Sequence, residues 1–214
     1  EFAEEMASYG YAVASISYRL TMQGLGFGCN TKANLKIKAF NEASKDISHA
    51  IDYILKKNRR FKINKDQIIL AGSSAGAEAI LNLAYVFDNT ILGNDFKFAG
   101  IVSMAGAVTK VENITSKTAI PTQLFHGKKD KLVPYGTAPH HYCVSTDTGY
   151  LKLYGSKAIA NKLKKIGKPY YLYTAEEGNH SWNSIPIFEC KKEILDFLFF
   201  DVLKNQQRQT EVKI

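Results

Sequence analysis

Apolar and polar positions recur along this chain with two different periods, and the switches between them divide it into helices and strands. Phe40, Ala43, Ile47, Ala50, Ile51, Ile54 and Leu55 return every three or four residues, which predicts a long amphipathic helix over about 38–58. Compact runs of β-forming residues at 11–18, 68–72, 100–105, 122–125 and 170–174 read as strands. Further helices are expected over 1–9, stopped by Gly10, and over 75–87. Ser156 reads as the N-cap of a helix carrying Ile159, Leu163 and Ile166, which Gly167 and Pro169 end. A last helix is expected over 185–203, followed by a polar, frayed tail from 204 to 214.

Strands alternating with helices predict an α/β fold, a mostly parallel sheet with helices on both faces. Ligands in such sheets sit beyond the C-terminal ends of the strands. The 214 residues show no internal repeat, low-complexity stretch or linker, so one domain over 1–214 is the expected organisation.

Composition narrows the class of partner. No apolar run reaches the ~18 residues of a membrane-spanning helix. The net charge of +8 raises the question of nucleic acid. The lysines are spread along the chain, however, and the densest runs (56–60 and 162–165) fall at predicted helix C-termini, where cations complement the helix dipole. A solvated face is therefore the reading, with a small-molecule substrate and no nucleic acid. Of three cysteines, Cys190 lies on the apolar side of the last helix and reads as core. Cys29 and Cys143 fall in two polar loops and can pair or stay free. The first residues, from Glu1, already have the pattern of a helix interior, so the lack of a targeting segment leaves localisation open.

The chemistry centres on Gly72-Ser73-Ser74-Ala75-Gly76, a Gly-x-Ser-x-Gly motif between a predicted strand and a predicted helix. A serine on so sharp a turn is held out above the sheet edge. It needs a base to take its proton, and the base needs an acid to hold its tautomer. His180, in Gly178-Asn179-His180-Ser181-Trp182, follows the final predicted strand and precedes the last helix, where such a base belongs. Asp130, in His126-Gly127-Lys128-Lys129-Asp130, follows a strand end and is the candidate acid, with Glu176 and Glu177 as runners-up. His49 lies inside the long helix, and His126 precedes the acid and reads as structural. His140 and His141 read as surface or pocket-rim residues, with no ligand set for a metal around them. The Gly24–Gly28 stretch lacks the Gly-Lys-Ser/Thr ending of a phosphate loop and reads as a plain loop near the pocket. Asn113 and Asn179 each open a glycosylation sequon, which at Asn179 would crowd the base.

Taken in order, Tyr18-Arg19-Leu20, Gly72–Gly76, His126–Asp130 with Val133-Pro134, and Gly178-Asn179-His180 resemble the α/β-hydrolase superfamily, in its carboxylesterase and acyl-esterase branch. The resemblance implies a catalytic triad of Ser74, Asp130 and His180, an acyl-enzyme on Ser74, and an oxyanion held by the backbone N–H of Ala75. It implies no metal and no organic cofactor. It also implies a gap: a His-Gly-Gly-type loop that supplies the second oxyanion donor, and the strand before it, have no counterpart here. The expectation is an N-terminally truncated hydrolase lacking the first strands of the family sheet, with residues 11–18 deprived of a ladder partner.

Short acyl or carbohydrate-linked esters are the expected substrates, with Phe27, Tyr135 and Tyr142 as candidate pocket aromatics in the Gly24–Gly28 loop and the 135–150 insert. A serine peptidase on the same fold, or a binding module that keeps the fold without activity, are the alternatives.

Overall fold

The computed structural model describes residues 2–93 and 95–214, apart from the side chains of Asn58 and Arg59; Glu1, where the first predicted helix begins, lies outside them. In chain order the elements are α1 (Phe2–Ser8), α2 (Ala33–Lys56), α3 (Asn58–Phe61), β1 (Ile69–Ser73), α4 (Ala75–Tyr85), β2 (Gly100–Met104), β3 (Ala107–Val108), β4 (Thr122–Gly127), β5 (Thr137–Pro139), β6 (Lys152–Gly155), α5 (Ser156–Lys165), β7 (Tyr170–Ala175), α6 (Ile185–Glu189), α7 (Lys191–Asp196) and β8 (Gln209–Lys213). A five-stranded sheet runs in the order β1-β2-β4-β7-β8 with every pairing parallel. A second sheet, β3-β6-β5, is small and antiparallel.

Successive residues of the central strands face opposite cores, as the two-residue period of a pleated strand requires. Ile101 of β2, Leu124 of β4 and Leu172 of β7 pack with Ala43 and Ile47 of α2, Ile80 of α4 and Ile159 and Leu163 of α5. Their neighbours Val102, Met104 and Phe125 face the other way, onto Met6, Trp182, Ile194, Phe197 and Leu198. Both faces of the sheet are thereby buried, which is why these strands read as continuous apolar runs.

Several elements depart from the sequence expectation. Residues 11–20 form no strand, and no strand among the described residues pairs with them. Their β pattern is local, whereas a ladder needs a neighbour. Here Val13 and Ile16 are 42% and 37% exposed. The segment is tied at its start, where Tyr11 N donates to Met6 O, and at its end, where Arg19 grips Asp46 with its backbone N, Nε and Nη2.

The tail, expected to fray, instead supplies β8. Glu211 accepts from the Tyr170 hydroxyl and pairs with Lys157, so a polar strand is held at the sheet edge by side-chain bonds that hydropathy does not reveal. The last predicted helix is broken into α6, α7 and a π-helical stretch, Phe197–Leu203, with an interruption at Cys190, whose thiol is buried as expected. Ser156 does not cap α5; Gly155 holds the N-cap position and Ser156 is the first helical residue. No helix among the described residues is long and apolar enough to cross a membrane.

Candidate active site

Ser74 follows β1, the Asp130 turn follows β4, and the His180 turn follows β7. In the sheet order β1-β2-β4-β7 these parallel strands all end on one side, which brings three residues far apart in sequence to one edge. The Ser74 hydroxyl lies 2.9 Å from His180 Nε2, and His180 Nδ1 lies 2.7 Å from Asp130 Oδ2. A carboxylate only accepts, so Nδ1 carries the proton and Nε2 presents its lone pair to the serine hydroxyl.

Local chemistry explains each placement. Ser74 sits at φ 49°, ψ −120°, a conformation that is costly for a residue with a Cβ. It is held there by hydrogen bonds on both sides: Ser74 N donates to Met104 O and Glu78 N donates to Ser74 O, each at 2.9 Å. Gly72 makes the turn possible, because a Cβ there would lie 2.7 Å from the backbone of Gly76. Gly76 itself has open space, so the two motif glycines are unequal. Ala75 opens α4, and its N–H, in the first turn of the helix, has no intrahelical acceptor. Ser73 Oγ donates to Asn183 O, and Asn183 Nδ2 donates to His180 O, which ties the serine turn to the histidine turn.

Asp130 is fully buried. Burial pushes its carboxyl pKa up, but the ring N–H groups of His126 and His180 and the backbone N–H of Leu132 more than offset this, and the net shift is downward. The two loops meet at Gly127, where a Cβ would lie 2.3 Å from Asn179 O. Glu176 and Glu177 are turned away, paired with Lys128 and Lys129. Asn179 Oδ1 accepts from Ser181 N and caps the short turn that carries His180.

One histidine gains a partner and another departs from expectation. His126, read as structural, contacts the acid itself, with Nε2 3.3 Å from Asp130 Oδ2. His140, read as a surface or rim residue, is buried, with Phe27 and Phe40 against its ring and Nε2 3.6 Å from Glu78 Oε1. Burial pushes His140 down to about 3, so it is neutral at physiological pH.

Glu78, one turn along α4 from Ser74, was not singled out by sequence because a single acid on a helix carries no signal. Burial and the nearby Asp130 charge push its carboxyl up to about 8. An acid whose pKa rises from 4.5 to about 8 on folding loses stability as pH increases through that window. Between about pH 7 and 8, where unfolded histidine has lost most of its proton, stability is expected to fall with pH. Glu78→Gln is expected to flatten that slope and to gain roughly 3 kcal/mol at pH 7. Urea melts at several pH values check this, and parallel slopes in the two proteins would refute it.

A cavity of about 260 Å³ reaches Ala75, the residue after the serine, and is lined also by Leu20, Met22, Phe27, Ala39 and Phe40 among others. Phe27 and Phe40 stack at 5.8 Å. Of the other candidate aromatics, Tyr135 hydrogen-bonds Thr174 Oγ1 and packs on His126, while Tyr142 is exposed beneath Lys131. The wall that carries Phe27 is covalently fixed, because Cys29 and Cys143 form a disulfide, with a sequence separation of 114. Closing so long a loop is worth about 2–5 kcal/mol. Cys143→Ser is expected to lower unfolding stability by that amount, read from denaturant melts under oxidising conditions, with no change if the bond constrains nothing.

A parallel sheet carrying a serine at a strand-to-helix turn, with an acid and a histidine after later strands, is the α/β-hydrolase fold. The chain belongs to the BD-FAE family, whose model matches residues 1–109. No curated protein matches it. Among solved structures it is similar to the acetyl ester-xyloside bifunctional hydrolase from Caldicellulosiruptor lactoaceticus, at 18% identity and a TM-score of 0.52, over 76% of this chain and 66% of that one. The chain thus spans slightly less than two thirds of that relative.

Proposed function

We propose that this protein is a serine esterase that cleaves carboxylic esters through an acyl-enzyme on Ser74. The observation that carries the reading is the continuous chain Ser74 Oγ, His180, Asp130, at 2.9 and 2.7 Å. His180 Nε2 accepts the Ser74 proton as the oxygen attacks the ester carbonyl. Asp130 holds Nδ1–H and stabilises the imidazolium that forms. The N–H of Ala75 supports the oxyanion. His180 then returns the proton to the leaving alcohol and activates the water that releases the acid.

A carbonyl carbon at Ser74 Oγ is next to the cavity that Ala75 shares, so that cavity is assigned to the acyl group. Its apolar lining and volume of about 260 Å³ suit a small acyl chain. The similarity to an acetyl ester hydrolase supports short acyl esters, including those on carbohydrate hydroxyls, as the substrate class. A fluorophosphonate probe tests the reading: it should label the protein and fail to label Ser74→Ala. An unlabelled native protein would favour a binding module. Faster cleavage of a dipeptide amide than of an aryl acetate would favour a peptidase.

A further inference from the structure

Two histidines lie against Asp130 Oδ2, and only one of them faces the serine. We propose that His126 is a positioning residue for the acid, locked in one tautomer by Ser156; this rests on the triad reading above. His126 is fully buried at the end of β4. Its Nε2 lies 3.1 Å from Val133 O and 3.3 Å from Asp130 Oδ2. Both oxygens can only accept, so Nε2 carries the proton. Nδ1 is then the lone-pair nitrogen, and it accepts from the Ser156 hydroxyl at 2.8 Å. Ser156 is also fully buried, at the first position of α5, and its hydroxyl makes no cap bond there.

The Asp130 carboxylate is consequently held on every side. Oδ1 accepts from Leu132 N at 2.8 Å and Val133 N at 3.0 Å, while Oδ2 accepts from His180 and lies 3.3 Å from His126 Nε2, whose N–H donates to Val133 O. Three hydrogen bonds and the His126 contact fix the rotation of the carboxylate, so Oδ2 keeps its aim at His180 Nδ1. The His126 N–H beside Oδ2 also draws density from the oxygen that stabilises the His180 imidazolium. Other titratable groups act on this pair as well: Glu78, His140, His141 and Tyr142 around Asp130, and His140 and His141 around His180. The substitutions below leave all of these in place.

The test compares the full-length native protein with Ser156→Ala, His126→Asn and His126→Gln in the hydrolysis of 4-nitrophenyl acetate across pH. Gln keeps an N–H near the position of Nε2; Asn is too short to reach. Ser156→Ala and His126→Asn are expected to lose about tenfold or more in kcat, with KM within about twofold, because misaligned acid and base cost turnover rather than binding. Their acid limb in kcat/KM should move to higher pH, and His126→Gln should recover most of both effects. An unmoved acid limb together with equal damage in Gln and Asn would reduce His126 to packing and overturn the proposal. Native kcat in Ser156→Ala would overturn it as well, and that variant carries the test alone if the buried histidine variants do not fold. Fluorophosphonate labelling of the native protein separates the two failures. A labelled protein with unmoved variants sinks only this inference, whereas an unlabelled one sinks the esterase reading and this inference with it.

Discussion

Ser74→Ala is expected to cost about a million-fold in ester turnover, the scale seen when a nucleophile that acts together with its base is removed. Without Oγ, His180 Nε2 has no proton to take and no covalent intermediate forms. What remains is the polarisation of the carbonyl by the Ala75 N–H. The fold should not notice the change. Alanine has the same Cβ as serine, so the cost of φ 49° is already present in the native protein, and the backbone bonds to Met104 and from Glu78 are untouched. Unfolding midpoints should therefore coincide while initial rates on an aryl acetate separate. A variant retaining a hundredth of the native rate would rule out Ser74 as the nucleophile.

Asp130→Asn should cost about ten-thousand-fold, and the reason lies in which atom each end of the amide must become. Oδ1 faces the N–H groups of Leu132 and Val133, so the amide oxygen has to stay there. The NH₂ then occupies the Oδ2 position, facing the protons of His180 Nδ1 and His126 Nε2. His180 escapes the clash by moving its proton to Nε2, and in that tautomer it has no lone pair for Ser74. KM should barely change, and a rate within tenfold of native would show that the acid is elsewhere. The same carboxylate sets an acid limit on stability. Its pKa is held below 3.8 on folding, so its contribution is present above that value and is lost as pH falls through the folded pKa. The amide does not titrate, so the Asp130→Asn variant should lack this acid dependence.

The residues of the candidate site were legible because each follows a strand end, and strands announce themselves through local apolar runs. Ser74, Asp130 and His180 could be placed on one sheet edge by parallel topology alone. Contacts between distant segments were not legible. Nothing near His126 says that Ser156, 30 residues on, will supply its hydroxyl. The strands β3, β5 and β6 are two to four residues long, too short for a period to show. Residues 11–18 have a strand's pattern without a strand's neighbour, and β8 has the neighbour with hardly any pattern. Periodicity reports which face of an element is buried; pairing depends on what lies beside it. The burial of His140 is hidden for the same reason, since it comes from Phe27 and Phe40 on other segments.

The bond between Cys29 and Cys143 means that one polypeptide can exist as two covalent species. A host whose cytosol keeps thiols reduced would yield the open form, and an oxidising compartment the closed one. The two differ by two hydrogen atoms, so intact mass would distinguish them where an electrophoretic band under reducing conditions would not. A mixed preparation would melt in two steps and show a fractional specific activity, which could be mistaken for partial misfolding.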